Sequence, residues 1–382
     1  MQSLPEEDWD PRAPEVLADP LRAYDALRGR CPVARSDYLN WSVFRHADVV
    51  RVLHAPEVFG NGVSRHASIP NGMDAPEHTP WRALVERYFT PARVAAFQPV
   101  ARAVARACVQ ALPEGELEWM DAFAQDCAVR LLCAFMQWPA QLHAPLRDWM
   151  RRSQAATLAG DREALGALAR EFDGHIRGQL DARRAQAQPS DDPTSRLLRD
   201  EIDGRPLRDE EIVSIVRNWT AGELSTLAAS LGILAHYLAA QPELQQRLRA
   251  QPALLRPAID EILRIHPPLL SNRRVVRQPA CVAGRAFVAG ERLTLMWASA
   301  NRDEAVFGDP DAFRIDRDPA LNLLYGAGVH VCPGAELSRV QLGVALEEVL
   351  AGTRRLAPVA GRAPVPARYP VGGWSEIMLA VS

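Results

Sequence analysis

The stretch LLYGAGVHVCPGAELSR, residues 323–339, sets one cysteine between a glycine-rich approach and the opening of a helix. Pro333 suits a first helical position, Glu336 suits the opening turn, and Leu337, Val340 and Val344 recur at helical spacing. Cys332 is therefore expected at a helix N-terminus, where unpaired amide N–H groups and the positive end of the helix dipole favour its thiolate. A thiolate is a soft metal ligand. Gly326, Gly328 and Gly334 remove side chains beside it, which leaves room for a flat, bulky group against the backbone.

Other chemistries fit this stretch poorly. A dinucleotide loop would need a third glycine at 331, where Val331 stands. Zinc or an iron–sulfur cluster would need more cysteines, and Cys31, Cys108, Cys127, Cys133 and Cys281 form no C-x-x-C pair with Cys332 or with one another. Those five read as buried small apolar residues. From the local run alone, a core cysteine at a helix start remains an alternative to a metal ligand.

The full pattern Tyr325-Gly326-x-Gly328-x-His330-x-Cys332-x-Gly334-x-x-Leu337-Ser338-Arg339 resembles the haem-binding loop of the cytochrome P450 family. Tyrosine stands where phenylalanine is usual, and serine where alanine is usual at 338. The resemblance implies haem b as cofactor, with Cys332 as the thiolate on its iron. Upstream, Glu261-x-x-Arg264 puts an acid and a base one turn apart on one helix face. SANRDEAVFGDPDAF and Arg317 follow it, again as in the family. By resemblance Glu261, Arg264 and Arg317 form a structural ion-pair network. The stretch DAPEHTPWRALV matches a further family segment and implies that His78 and Arg82 face a haem propionate. Arg274 is implied as another propionate partner, with Arg273 beside it leaving the choice open, and His330 completes the set.

The segment NWTAGELSTLAASLG, residues 218–232, corresponds to the family's oxygen-handling helix and departs from it. Aligning Ala221-Gly222 puts Leu224 where the usual acid belongs, Ser225 where the usual threonine belongs, and Glu223 one place early. One residue turns a side chain by about 100° around a helix, so Glu223 is not a simple substitute. Ser225 with water, fed by Glu223 and with Thr226 as a second hydroxyl, is the expected proton route. Peroxide as the physiological oxidant is the alternative, and a non-turnover haem sensor a more distant one.

The elements that must position these residues are mostly helical. Apolar periodicity and caps predict helices over 18–30, 46–54, 80–111, 118–134, 142–152, 162–185, 208–240, 242–249, 254–264 and 334–352. Short strands suit 32–36, 41–44, parts of 274–296, and 375–381. No linker divides the 382 residues, so one haem domain, 1–382, without a fused reductase is expected. The resemblance implies the family's helical prism, mainly α with a small β region, with haem between the long central helix and the cysteine-loop helix. A hydrophobic share of 48% supports a large core, and a formal net charge of -3 argues against a nucleic-acid partner. The start MQSLPEEDWDP has neither a basic nor an apolar leader region, and no run of about 18 apolar residues occurs. A soluble, cytoplasmic chain is expected.

By resemblance the protein is a monooxygenase that inserts one oxygen atom from dioxygen into a small apolar substrate, by hydroxylation or oxidative O-demethylation. Electrons would come from a separate ferredoxin or flavodoxin-type donor with its reductase, and Arg102, Arg106 and Arg339 are candidates to favour an acidic partner. The family's pocket-covering loop corresponds to Phe59–Met73. Phe59, Ala221, Leu269, Leu270 and Trp374 are the expected substrate-pocket residues, with Ser225 and a segment around 155–170 beside them.

Overall fold

A computed structural model describes residues 7–64, 68–188 and 190–382. Residues 65–67 of the expected pocket-covering loop, Pro189, and the first six residues of the start lie outside them. Most helices fall within a residue or two of their apolar spacing, among them His46–Leu53, Arg162–Arg184 and Pro242–Ala250. The expected helix over 80–111 is instead two, His78–Glu86 and Pro91–Gln110. The break has a local cause: the ring of Pro91 disfavours a helical residue before it, and Thr90 is extended at φ -62°, ψ 151°.

The chain forms two compact units. The first comprises residues 1–79 and 260–332 and carries a five-stranded sheet in the order Val33–Ser36, Asn40–Val43, Arg292–Leu295, Asn272–Val276, Phe59–Gly60. Arg292–Leu295 runs parallel to Asn40–Val43, and the other pairings are antiparallel. Val43, Val52, Leu293, Leu295 and Phe287 fill the core on one side of it. Phe59 belongs to that same core, with Leu269 packed against it. Their shared role in this unit is packing.

The second unit comprises residues 80–259 and 333–382 and is mainly helical, with a small three-stranded sheet in the order Leu356–Pro358, Met378–Val381, Gly115–Glu118 and two short two-stranded pairings. The cysteine-loop helix, Ala335–Gly352, packs along Pro91–Gln110. The central helix runs from Asp209 to Ala239, but the turn Gly222–Thr226 within it has π-helical i→i+5 hydrogen bonding. Such a turn accommodates one extra residue and shifts the phase of everything after it. The single continuous helix expected over 208–240 is therefore interrupted at the residues with the unusual register. From Leu227 to Ala235 every side chain is buried, whereas Ala221, Gly222 and Ser225 are exposed. Among the described residues no single helix is long and apolar enough to cross a membrane.

Cysteine burial corrects one expectation. Cys108, Cys127 and Cys133 are buried as anticipated, Cys31 is half-buried, but Cys281 is exposed. It sits in the short hairpin of Ala280–Val282 and Arg285–Phe287, where alternate side chains face outward.

Candidate active site

The cysteine loop is built by backbone conformation first. Gly326 and Gly328 take φ of 71° and 70°, and a Cβ on Gly328 would collide with the carbonyl oxygen of Leu53. The Cys332 amide donates to the Tyr325 carbonyl at 2.9 Å and closes the loop. The helix itself starts at Ala335, with Gly334 as its N-cap, so Pro333 lies in the approach turn and not at the first helical position. Cys332 thus precedes the helix by three residues. Its side chain is exposed, unlike the three core cysteines.

In the first unit His78 is buried, and its ring centroid lies 4.3 Å from that of His330. Of the two adjacent arginines, Arg273 is exposed and Arg274 is 3% exposed. Arg274 donates through Nη1 to the Arg273 carbonyl at 2.7 Å and forms no ion pair among the described residues. Burial pushes its guanidinium down to about 10, against the pull of Asp74. Asp74 already accepts from the Asn61 amide at 2.8 Å and lies 4.0 Å from Arg277. Buried charges are ordinarily paired, so Arg274 is suited to an anion that the protein itself does not supply. A haem propionate meets that need, and an exposed thiol in a glycine-shaped loop meets the need for an iron ligand. The residues present fit haem.

The expected structural network is brought together in the same unit. Arg264 holds Glu261 through a fork, Nε to Oε2 at 2.7 Å and Nη2 to Oε1 at 2.9 Å. Its Nη1 donates to the Asn301 carbonyl at 2.7 Å, and Arg317 Nε reaches Glu261 Oε1 at 2.9 Å. Every one of these charges has charge-assisted partners, so the network holds the 307–317 segment against the helix Leu255–Ile265.

The second unit carries Arg82, whose Nε donates to Glu86 at 2.7 Å one helical turn on. It also carries the oxygen-handling segment. Glu223 Oε2 accepts from Gln341 Nε2 of the cysteine-loop helix at 2.7 Å. Gln341 is fully buried, and sequence reasoning missed it. The signal was there: one amide in the apolar row of Leu337, Val344 and Ala345. Glu223 is deeply set with part of its surface accessible. Burial pushes its carboxyl up to about 7, opposed by the Gln341 hydrogen bond.

Ser225 borders a cavity of about 150 Å³ whose walls include Met120, Trp149, Met150, Thr157 and Trp374. Trp374 and Ser225 are thus together, joined by the helix His143–Ala159, whose Thr157 and Leu158 fall within the segment expected around 155–170 and whose Trp149, Met150, Ser153 and Gln154 extend the wall N-terminal to it. Ala221, Thr226, Phe59, Leu269 and Leu270 do not line this cavity. Phe59 and Leu270 are instead buried side chains of the first unit, 3% and 6% exposed. Thr226 is half-buried, and its carbonyl accepts from the Ser230 hydroxyl.

The arginines offered for an acidic partner are already engaged. Arg102 pairs with Glu347 at 2.7 Å and Glu348 at 3.1 Å, Arg106 with Glu348 at 2.9 Å, and Arg339 with Glu336 at 2.8 Å. Their sequence neighbours one turn away, and the facing helix, neutralise them.

Comparison with known proteins converges on one family. The family model described as Cytochrome P450 matches residues 132–352. Cyclomarin C epoxidase CymV of Salinispora arenicola is 30% identical over 80% of this chain and 82% of its own. Erythromycin C-12 hydroxylase of Saccharopolyspora erythraea is 30% identical over 86% of each chain. The ligand-free structure of cytochrome P450 TbtJ1 superposes with a TM-score of 0.87 at 26% identity, covering 96% of this chain and 98% of that one. With the cysteine loop, the unpaired buried Arg274 and the interrupted central helix all in place, the chain belongs to the cytochrome P450 family of haem-thiolate monooxygenases.

Proposed function

We propose that this P450 oxidises a compact, mainly apolar molecule held in the cavity beside Ser225, by hydroxylation or oxidative O-demethylation. The observation that carries the reading is the position of Ser225: on the π turn, at the wall of a cavity lined mainly by apolar side chains such as Trp149, Met150 and Trp374, with Gln125, Gln154 and Arg368 as polar members. When bound, haem supplies oxygen activation at an iron ligated by Cys332. The protein residues do the rest. Trp149 and Trp374 exclude water and hold apolar surface, as aromatic side chains do in ligand pockets. His78, Arg82, Arg274 and His330 hold the propionates, Arg274 being the buried member of the Arg273–Arg274 pair. Gly326 and Gly334 leave the cysteine loop free of side chains on the haem side.

Proton movement is assigned to Glu223, Ser225 and Thr226. A carboxyl poised near neutrality is suited to exchange protons at working pH. Ser225 lies two residues on, and its accessible hydroxyl is the terminal donor through ordered water. Electrons come from a separate ferredoxin or flavodoxin-type donor and its reductase. Relatives named as an epoxidase and a hydroxylase support oxygen insertion as the reaction class.

The test is product formed per NAD(P)H consumed with surrogate redox partners, against product formed per peroxide added. Electron-driven turnover that depends on substrate is the expected result. Peroxide-driven turnover alone would replace this reading with a peroxygenase. A companion result is expected from Arg274→Ala, because loss of a charge-assisted partner leaves a propionate underbound. Haem transfer to an acceptor apoprotein should be about ten- to a hundredfold faster than in wild type. An unchanged rate would remove Arg274 from the haem site.

A further inference from the structure

Elsewhere in the second unit, the turn after the helix His78–Glu86 and the segment Pro193–Asp200 border a cavity of about 140 Å³. Its walls are Arg87, Tyr88, Arg93, Arg196, Arg199 and Asp200. Nothing in the oxidation chemistry uses these residues. The chain contains no lysine, so every side chain of this cluster that carries positive charge is a planar guanidinium.

The carboxylates nearby are already committed. Asp200 accepts from Arg87 Nη2 at 3.0 Å through Oδ1 and from the Tyr88 hydroxyl at 2.5 Å through Oδ2. Asp191 takes the fork of Arg196, with Nε at 2.6 Å, and lies 3.9 Å from Arg199 Nη2. Four guanidinium groups therefore share two carboxylates, leaving two positive charges in excess. Burial and the Asp200 hydrogen bond both raise the Tyr88 phenol, so it adds a neutral O–H and no negative charge. Arg93 forms no hydrogen bond or ion pair among the described residues. Arg196 keeps Nη1 shielded from water and without an acceptor among them, while its other two nitrogens are held by Asp191.

We propose that this cavity binds a phosphate-class oxyanion, free or as a phosphomonoester, through Arg93, Arg199 and Nη1 of Arg196. The guanidinium fork matches the spacing of two phosphate oxygens and binds them bidentately, which a compact ammonium does not. The Asp191 fork fixes the Arg196 plane in advance, and Asp200, saturated by Arg87 and Tyr88, does not compete for Arg93. An anion here bridges the 87–93 turn to the 193–200 segment. Chloride is a poor substitute because it cannot accept two parallel N–H donors from one guanidinium.

The experiment is calorimetric titration of the haem-loaded protein at constant ionic strength set with sodium chloride. Inorganic phosphate is one titrant and a nucleoside monophosphate the other. Saturable one-to-one binding of phosphate is expected, with affinity falling about tenfold or more in Arg93→Gln. Arg93 is exposed, so this variant keeps the fold; Arg151→Gln, at an exposed arginine far from the cavity in sequence, should bind as wild type. Tighter binding of the monophosphate identifies a phosphomonoester as the ligand, and equal binding identifies free phosphate. Equal affinity in wild type and Arg93→Gln, or no saturable heat against the chloride background, overturns the proposal.

Discussion

Replacing Cys332 by serine is expected to abolish the red-shifted Soret band that reduced, carbon-monoxide-treated protein shows with a thiolate ligand, and to abolish monooxygenase turnover with it. A serine hydroxyl ionises far less readily than a thiol and is a hard, poor partner for the iron. The fold should survive, because Cys332 is exposed and serine keeps the backbone bond to Tyr325. No other cysteine is placed to take over. Cys108, Cys127 and Cys133 are core residues, and burial pushes the Cys133 thiol up to about 12. Cys31 caps the C-terminus of the helix Pro20–Arg30 and Cys281 is the middle residue of the strand Ala280–Val282, both in the first unit. A Cys332→Ser protein that keeps the thiolate spectrum would show that the ligand lies elsewhere and would undo the site assignment.

Glu223→Gln should act on both turnover and the pH dependence of stability. Loss of a positioned proton donor typically costs 10²- to 10⁴-fold in rate, so electron-driven product formation should fall about a hundredfold, with reducing equivalents diverted to hydrogen peroxide. Binding of substrate, read from the spin-state shift of the haem band, should change little. Stability gives an independent readout. Burial raises the folded carboxyl to about 7, so between the ordinary carboxylate range and pH 7 the folded chain binds more protons than the unfolded one. Stability therefore falls as pH rises through that window, by up to about 3 kcal/mol in total. Glu223→Gln removes the loss: it should be markedly more stable than wild type at pH 8 and similar to it at pH 5. The facing cysteine-loop helix offers Gln341, whose amide favours the ionised form, and burial and this amide are the two influences that set the carboxyl. Gln341→Leu should accordingly shift the wild-type profile toward higher pH. Parallel stability profiles for wild type and Glu223→Gln, with equal coupling, would leave Ser225 and ordered water as the proton path.

The glycine pattern, the lone cysteine in it and the order of the motifs upstream are linear features, and they were enough to single out Cys332 as the candidate iron ligand and to read the Glu261–Arg264–Arg317 network and most helix positions directly. Helix extent is a local matter of apolar spacing and caps, and strand positions followed from equally local alternation. Even the break at Thr90 had a local signal in Pro91, although periodicity on both sides concealed it. The register of the central helix was different. Sequence alone put Glu223 one position out of place on an ideal helix, and ideal geometry was the wrong reference, because the Gly222–Thr226 turn is π-helical. Such a turn is favoured or not by how the flanking segments pack, here against the Met120–Gln125 turn and the helix Asp126–Met136.

Pairings across long stretches of chain also lay beyond the sequence. The residue types of Arg102 and Arg106 suggested free surface charge, but Glu347 and Glu348 arrive from a helix more than two hundred residues away. The same holds for Gln341 against Glu223, and for the four arginines that converge on one cavity. What the sequence by itself determined is the identity of the chemistry, because a ligand, its loop and its supporting charges are specified by residue type and short spacing. What only the tertiary structure decided is which charges remain uncompensated and which carboxyl is poised near neutrality. Burial and pairing are properties of the packed unit, and each is set by residues distant in the chain.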